Sequence, residues 1–341
     1  MIGIVSLRTR AIALVVAVVV IAYALASWRL FDLISASVQR CGSGPDGRPR
    51  FAGETPAAFD AEGLPPDIAG LVDTRAYAMP HYEDVTVRSR DGAVDLAAWW
   101  IPGPGADSPA VVMAHGIGSC RRDPVMLLPA GMLHRNGFAV LMIDLRGQGD
   151  SPVGDARFTG GVRERLDVLG AWDWLRGRGL PAERIGLFGE SNGAATVLQA
   201  AATEAEVAGV WADSSYADPW TAVREEVRRQ GFPELLIPGA AAWGRLAGID
   251  LDRARPIDAI AALANRPVVI VHGALDSRFD PHHARDLAAA LSAARGRADA
   301  VTEPWIVPGA DHLRESFVAA EEYERRLAAF FGQALGGAAR P

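Results

Sequence analysis

Three residue types that together can cleave an acyl bond occur in this chain in the order Ser191, Asp276, His312. Ser191 is the centre of Gly189-Glu190-Ser191-Asn192-Gly193, behind the apolar run Ile185 to Phe188 and ahead of the small-residue stretch Ala194 to Ala201. Gly-x-Ser-x-Gly between an apolar run and a helix predicts a sharp strand-to-helix turn that projects the serine hydroxyl. The glycines remove side chains that would collide across that turn. A serine hydroxyl is a poor nucleophile until a base takes its proton, and imidazole is the base whose pKa suits neutral pH. A carboxylate then fixes the imidazole tautomer and stabilises the imidazolium. Asp276 follows the run ending at His272, and His312 follows the run ending at Val307.

Each position has rivals. Asp213, which ends the apolar run after the serine helix, and Asp280 could serve as the acid in place of Asp276. His115, His272, His282 and His283 compete as base; the first two end strands before glycine, where a structural hydrogen bond is expected, and the last two open a helix and read as solvated. Asp311 reads as a loop hydrogen-bond partner. An oxyanion formed at the attacked carbonyl needs two N–H donors. Asn192 N–H lies at a helix start, where the dipole helps, and Ile117 N–H lies in the loop His115-Gly116-Ile117-Gly118, with Gly116 as the alternative. Asp144 to Ser151 reads as a tight bend rather than chemistry, and Arg121-Arg122 as a solvated pair.

The elements that would position these groups are legible as rhythm. A hairpin is predicted from Asp84 to Ile101, turning at Arg90-Asp91-Gly92. Apolar runs follow at Ala110–Ala114, Phe138–Ile143, Ile185–Phe188, Val207–Ala212, Pro267–His272 and Trp305–Val307, with helices between, including Val162–Arg176 and His283–Ala294. Runs apolar throughout, alternating with helices, predict an α/β fold with a mostly parallel central sheet covered on both faces, whose reactive groups gather at the carboxyl ends of the strands. Residues 214–265 interrupt the rhythm with helical stretches punctuated by Pro233, Pro238 and Pro256, and read as a small helical cap. The boundaries expected are 1–35 for an N-terminal apolar helix, 36–66 for a Gly/Pro-rich linker, and 67–341 for the folded unit carrying the cap.

Ala11 to Trp28 are eighteen uncharged residues reaching roughly 27 Å as a helix, close to the thickness of a bilayer's hydrocarbon. Arg8 and Arg10 before the run favour a cytoplasmic N-terminus. The reading is a membrane anchor with the bulk of the chain extracytoplasmic. The alternatives are a signal peptide cleaved after Ala24-Leu25-Ala26, giving a secreted protein, and a buried soluble helix. The 341 residues carry a net charge of -7, which gives no reason to expect nucleic-acid binding, and every cation among the 34 is an arginine. Two cysteines, Cys41 and Cys120, make neither a disulfide framework nor a metal site; a single bridge between them is open but is not the expectation.

From about Val85 to Phe331 the sequence resembles the α/β-hydrolase superfamily, closest to membrane-anchored serine hydrolases of the prolyl oligopeptidase-like and serine aminopeptidase-like branches. The motifs that carry the resemblance are His115-Gly116, Asp144 to Ser151, Gly189 to Ala194, Asp213-Ser214-Ser215, His272 to Asp276 and Gly309 to His312. The resemblance implies an α/β-hydrolase fold and a Ser191–Asp276–His312 triad, with no metal or organic cofactor. Relatives commonly have methionine where Asn192 stands and Val-Pro where Phe279-Asp280-Pro281 stand; neither departure touches the triad. The expected reaction is hydrolysis of a carboxylic ester or thioester through an acyl-enzyme, on a small-molecule or lipid-like substrate. A serine peptidase is the second reading, needing a site for a peptide N-terminus such as Glu190 or cap acids. A non-catalytic binding protein of this fold is the third. The superfold hosts many reactions, so substrate does not follow from it.

Overall fold

The computed structural model describes residues 7–36, 41, 51–61, 64–155, 157–296 and 302–336. Helix α1 (Leu7–Ser35) leads the chain, followed by the antiparallel hairpin β1 (Glu83–Arg88) and β2 (Asp95–Ile101), in register with Val85 opposite Ala98. The alternating part then runs β3 (Ala110–Ala114), α2 (Pro124–Arg135), β4 (Ala139–Ile143), α3 (Arg165–Gly177), β5 (Ile185–Glu190), α4 (Asn192–Thr203) and β6 (Val210–Asp213). Three helices interrupt it: α5 (Pro219–Arg229), α6 (Ile237–Leu246) and α7 (Pro256–Ile260). The chain closes with β7 (Val268–Gly273), α8 (His282–Arg295), β8 (Trp305–Val307), α9 (Glu315–Val318) and α10 (Ala320–Ala334). The sheet order is β1-β2-β4-β3-β5-β6-β7-β8, with β2 antiparallel to both neighbours and the other pairings from β4 to β8 parallel. This is the mostly parallel sheet that the apolar rhythm predicts, in the α/β-hydrolase fold that the family resemblance implies.

Alternation along the central strands divides the interior into two cores. Val112 and Ala114 of β3 face one core with α3, α4 and α8, while Val111 and Met113 face the other with α2 and α10. Every residue of β3, β4, β5 and β6 is buried, which is why these strands read as unbroken apolar runs. Helix starts follow local chemistry. Asp123 caps α2 by accepting from Val125 N–H, and Asp218 caps α5 by accepting from Trp220 and Thr221 N–H, each with proline at the first helical position.

The segment expected as a linker divides in two. Residues 37–40 and 42–50 lie outside the described residues, but Phe59 and Ala61 pack into the α2/α10 core. Cys41 and Cys120 are disulfide-bonded with their Cα atoms 5.0 Å apart, against the expectation. Seventy-nine residues separate them, and only the fold brings Cys41 to the buried start of the loop before α2. Closing so long a loop constrains the unfolded chain strongly. Cys120→Ser, or reduction of the wild type, should therefore cost about 2–4 kcal/mol of stability. Urea unfolding with and without reductant checks this, and no effect of reductant would refute it.

Candidate active site

Ser191 stands between β5 and α4 at φ 53°, ψ −120°, a conformation that non-glycine residues adopt only under constraint. Its N–H donates to Asp213 C=O at 2.8 Å, tying the turn to β6. A Cβ on Gly193 would strike the Ala114 and His115 carbonyls, and one on Gly189 would strike Gly193, so both glycines are required by close backbone approach. The loop after β3 passes directly over the serine: a Cβ on Gly116 would lie 3.0 Å from Ser191 Cβ and 3.5 Å from its Oγ. Ile117 comes next in that loop and lines the same cavity as Asn192.

The ends of β7 and β8 bring the other two groups to this turn. His312 Nε2 lies 3.0 Å from Ser191 Oγ, and its Nδ1 lies 2.7 Å from Asp276 Oδ2. With Nδ1–H donating to the carboxylate, Nε2 is left free to accept the serine proton. Asp276 also accepts from the backbone N–H groups of Arg278 and Phe279 at 2.9 and 2.8 Å. Burial would raise the Asp276 pKa, but hydrogen bonds from His272 and His312 hold it well below the ordinary carboxylate range. Burial pulls His312 below the usual imidazole value, against the opposing hydrogen bond and charge of Asp276.

The rivals are engaged elsewhere. Asp213 accepts from Tyr323 Oη–H at 2.5 Å, and Asp280 is exposed, accepting from His282 N–H at the start of α8. His115 receives Leu145 N–H on Nε2 at 3.1 Å and donates Nδ1–H to Gly116 C=O at 2.8 Å, which stitches the loop over Ser191 to the end of β4. Asp311 accepts from Ser277 N–H at 2.7 Å. His272 Nε2 sits 3.1 Å from Asp276 Oδ2 and 2.9 Å from Phe279 C=O. Asp276 is thus held between two histidines, a contact the i, i+4 spacing across the end of β7 could have signalled.

Two readings are corrected. Arg121 is buried rather than solvated: it pairs with Asp144 and with Asp150 at 2.8 Å, and lies 4.6 Å over the Trp99 ring. Asp144 also accepts from the N–H groups of Arg121 and Asp150, so the Asp144–Ser151 bend is an ion-paired corner. His283 is fully buried rather than solvated, while His282 stays partly exposed. Both place Nε2 on Glu225 of α5, at 3.2 and 3.1 Å, clasping α5 to α8. These three residues have the donor types of a metal site. Ala217 N–H donates to His283 Nδ1 at 3.1 Å, however, which leaves the ring proton on Nε2, facing Glu225. A cation there would have to displace that proton and leave an imidazolate, so the donor set fits a hydrogen-bonded clasp better than a metal.

Two cavities flank Ser191 and His312. One, of about 400 Å³, is walled mainly by apolar side chains, among them Ile117, Tyr216, Trp220 and Phe279. Its two carboxylates are already engaged, Glu226 by Arg229 at 2.6 Å and Asp250 by Asp252 N–H. The other, of about 330 Å³, lies beside His312 and is lined by Arg229, Arg278, Arg314 and Asp311. A group of buried acids surrounds the end of β5. Glu190 is buried, and burial together with Asp213, Asp123 and Glu315 raises its pKa well above the carboxylate range, so it offers no exposed charge to a peptide N-terminus.

This is the architecture of an α/β-hydrolase with a serine at the strand-to-helix turn. The prolyl oligopeptidase family pattern matches residues 128–338, more than half of the chain, and the chain belongs to that family. It is 30% identical over 213 residues to an uncharacterised protein of Mycobacterium tuberculosis, a match covering 61% of this chain and 66% of that one, so the chain spans slightly under two thirds of that relative. Among solved structures, a Pyrococcus furiosus esterase superposes with a TM-score of 0.61 at 22% identity, over 80% of this chain and 100% of that one. A puromycin-hydrolysing peptidase of Mycobacterium tuberculosis superposes with a TM-score of 0.60 at 21% identity, over 78% of this chain and 41% of that one. At these identities the two structures speak to fold alone. The family match and the superpositions together give the chain membership of the prolyl oligopeptidase family and an α/β-hydrolase fold.

The buried acids generate a pH prediction. Burial raises Asp213 to about 6, against the hydrogen bond from Tyr323. The folded protein then binds a proton that the unfolded chain releases near its ordinary value of about 3.9, so stability falls as pH rises from about 4 through 6. Asp213→Asn keeps an acceptor for Tyr323 and removes this penalty. Urea midpoints at pH 4, 5, 6 and 7 should show the variant gaining on the wild type as pH rises; parallel curves would contradict the assignment.

Proposed function

We propose that this chain hydrolyses a carboxylic ester or thioester through an acyl-enzyme on Ser191. The observation that carries the reading is the relay of 2.7 Å from Asp276 to His312 and 3.0 Å from His312 to Ser191. Ser191 Oγ attacks the carbonyl while His312 Nε2 takes its proton, and Asp276 holds the imidazole in the tautomer this requires. The N–H groups of Ile117 and Asn192 hold the oxyanion, each worth about 3–4 kcal/mol in the transition state. His312 then protonates the leaving group, which departs on the polar side lined by Arg278 and Arg314. Water repeats the cycle and frees the acid. The apolar cavity on the Ile117–Asn192 side receives the acyl group.

The ester reading rests on that cavity, whose walls are mainly apolar, and on Glu190, which is buried and offers no exposed charge to a peptide ammonium. Membership in the prolyl oligopeptidase family favours peptide hydrolysis as the second reading.

Helix α1 spans Leu7–Ser35 and exposes most of its apolar side chains, among them Ile12, Leu14 and Val19. We read it as a retained anchor with the catalytic unit outside the cytoplasm. Trp243 donates to Ala24 C=O at 3.1 Å and Tyr23 donates to Leu235 C=O at 3.0 Å, so cleavage after Ala26 would cut a docked helix. The Cys41–Cys120 disulfide suits an oxidising compartment. Resistance of the protein to carbonate extraction from membranes checks the anchor; release into the supernatant counts against it.

The full chain in detergent should label with a fluorophosphonate probe, and Ser191→Ala or His312→Ala should abolish labelling. Well-folded wild type that does not label would sink the reading. Asp276→Asn should lower kcat on the order of 10⁴-fold. Because the base must be neutral, kcat/KM should rise with pH to a plateau, with its midpoint below the ordinary imidazole value of about 6.5. Asp276→Asn removes the influence that holds the proton on His312 and should move that midpoint lower still. A panel of p-nitrophenyl esters beside aminoacyl-naphthylamides separates esterase from peptidase.

A further inference from the structure

The apolar cavity beside Ser191 is closed on one side by the N-terminal helix. Phe31, Leu33, Ile34 and Ser35 of the last turns of α1 line it, opposite Ile117 and Asn192. The contact is a built interface. Leu30 and Phe31 are buried against Val227, Leu236, Ala240 and Ile249 of the cap, each such burial contributing about 1.5–3 kcal/mol. Small residues on α6 let the helices approach: a Cβ on Gly239 would strike Ser27, and one on Gly244 would touch the Phe31 ring at 3.7 Å. The end of α1 is also tied to the main body, where Arg157 pairs with Asp32 at 2.8 Å and Phe158 N–H donates to Ser35 C=O at 2.8 Å. Ten residues separate Leu33 from Tyr23, so the cavity wall lies roughly 15 Å along the helix from where the continuously exposed apolar stretch begins. Leu235, in the turn before α6, and Leu246, at the end of α6, are 65% and 79% exposed.

We infer that the site takes a long acyl chain carried by a membrane amphiphile, and that the last turns of α1 form the specificity-determining wall of its acyl cavity. The inference rests on the serine-hydrolase reading and adds the substrate class. An acyl chain leaving the bilayer beside α1 meets apolar surface along the helix until it reaches Phe31 and Ile34. Its carbonyl then lies at Ile117 and Asn192, and its polar portion beside His312 in the arginine-lined cavity. A cavity of about 400 Å³ walled mainly by apolar side chains is within the range that such ligands fill.

The test compares hydrolysis of p-nitrophenyl laurate and p-nitrophenyl butyrate by the full chain in detergent micelles. Wild type should prefer laurate by kcat/KM. Ile34→Trp, which fills the wall, should lower the laurate-to-butyrate ratio at least tenfold. Gly239→Val, which drives α1 off α6, should lower it as well, and Ile34→Ala should keep or raise it. A ratio unchanged within twofold in Ile34→Trp and Gly239→Val, with thermal melts showing both folded, overturns the inference. Fluorophosphonate labelling separates the failures: labelled wild type that prefers butyrate sinks the acyl-chain inference alone, whereas unlabelled wild type sinks the hydrolase reading and this inference with it. For the source of the chain, p-nitrophenyl palmitate is placed in the vesicles that carry the enzyme or in separate ones. Faster early turnover in shared vesicles supports delivery through the bilayer, and equal rates overturn it.

Discussion

The site depends on one backbone constraint, a serine held at φ 53° between a strand and a helix. Such a conformation costs about 1–3 kcal/mol and persists only where its surroundings over-determine it. Here β5 lies between β3 and β6, all three wholly buried, and the Ser191 N–H is spent on Asp213 C=O. The carbonyls of Ala114 and His115 press against Gly193, and Gly116 presses against Ser191 itself. Relaxing the turn would require moving a central strand. The same packing that stores the strain fixes the distance between Ser191 and the loop that precedes Ile117.

A second layer of buried polar groups orients what the turn exposes. His115 fastens the loop over Ser191 to the end of β4, and Arg121 with Asp144 and Asp150 closes the corner beyond it. Asp276 takes hydrogen bonds from two backbone N–H groups and faces both His272 and His312. In a low-dielectric interior each of these groups would be expensive alone, and each is stable because its partners are fixed by strand ends. His272 Nδ1 is buried and finds no partner among the described residues, so its proton belongs on Nε2, where Asp276 and Phe279 C=O can receive it. The carboxylate is therefore aimed at His312 by groups on its own strand end before any substrate arrives.

Much of this was legible in the sequence because parallel strands buried on both faces leave an unmistakable apolar run, and because strand ends are where such sheets collect polar groups. Ser191, Asp276 and His312 fall at three such ends in the chain. What the sequence hid were contacts between positions that only the fold makes neighbours. Arg121 reads as solvated until Trp99 and Asp144 are seen around it. His283 reads as a helix-opening surface residue until Glu225 and the Ala217 N–H close over it. Cys41 and Cys120 are separated by 79 residues, with no spacing rule to join them. The glycines of α6 carry no signal for helix docking until α1 lies on them.

That last contact changes what the N-terminal helix is. A tether needs length and hydrophobicity only, and any linker would serve to hold a catalytic unit near a membrane. A tether that was merely a tether would end in solvent. Here the helix continues past its exposed apolar stretch, buries Leu30 and Phe31 against the α5–α6 segment, accepts a hydrogen bond from Trp243 at Ala24 C=O and donates one from Tyr23 to Leu235 C=O across the same seam. Just past its end, Ala36 forms an isolated antiparallel bridge with Arg157. A segment held by the cap on one side and the main body on the other cannot swing freely about a linker. Packing thus sets α1, the α5–α6 segment and the cavity beside Ser191 relative to one another, and under the anchor proposed above the orientation of the site toward the bilayer follows from the fold.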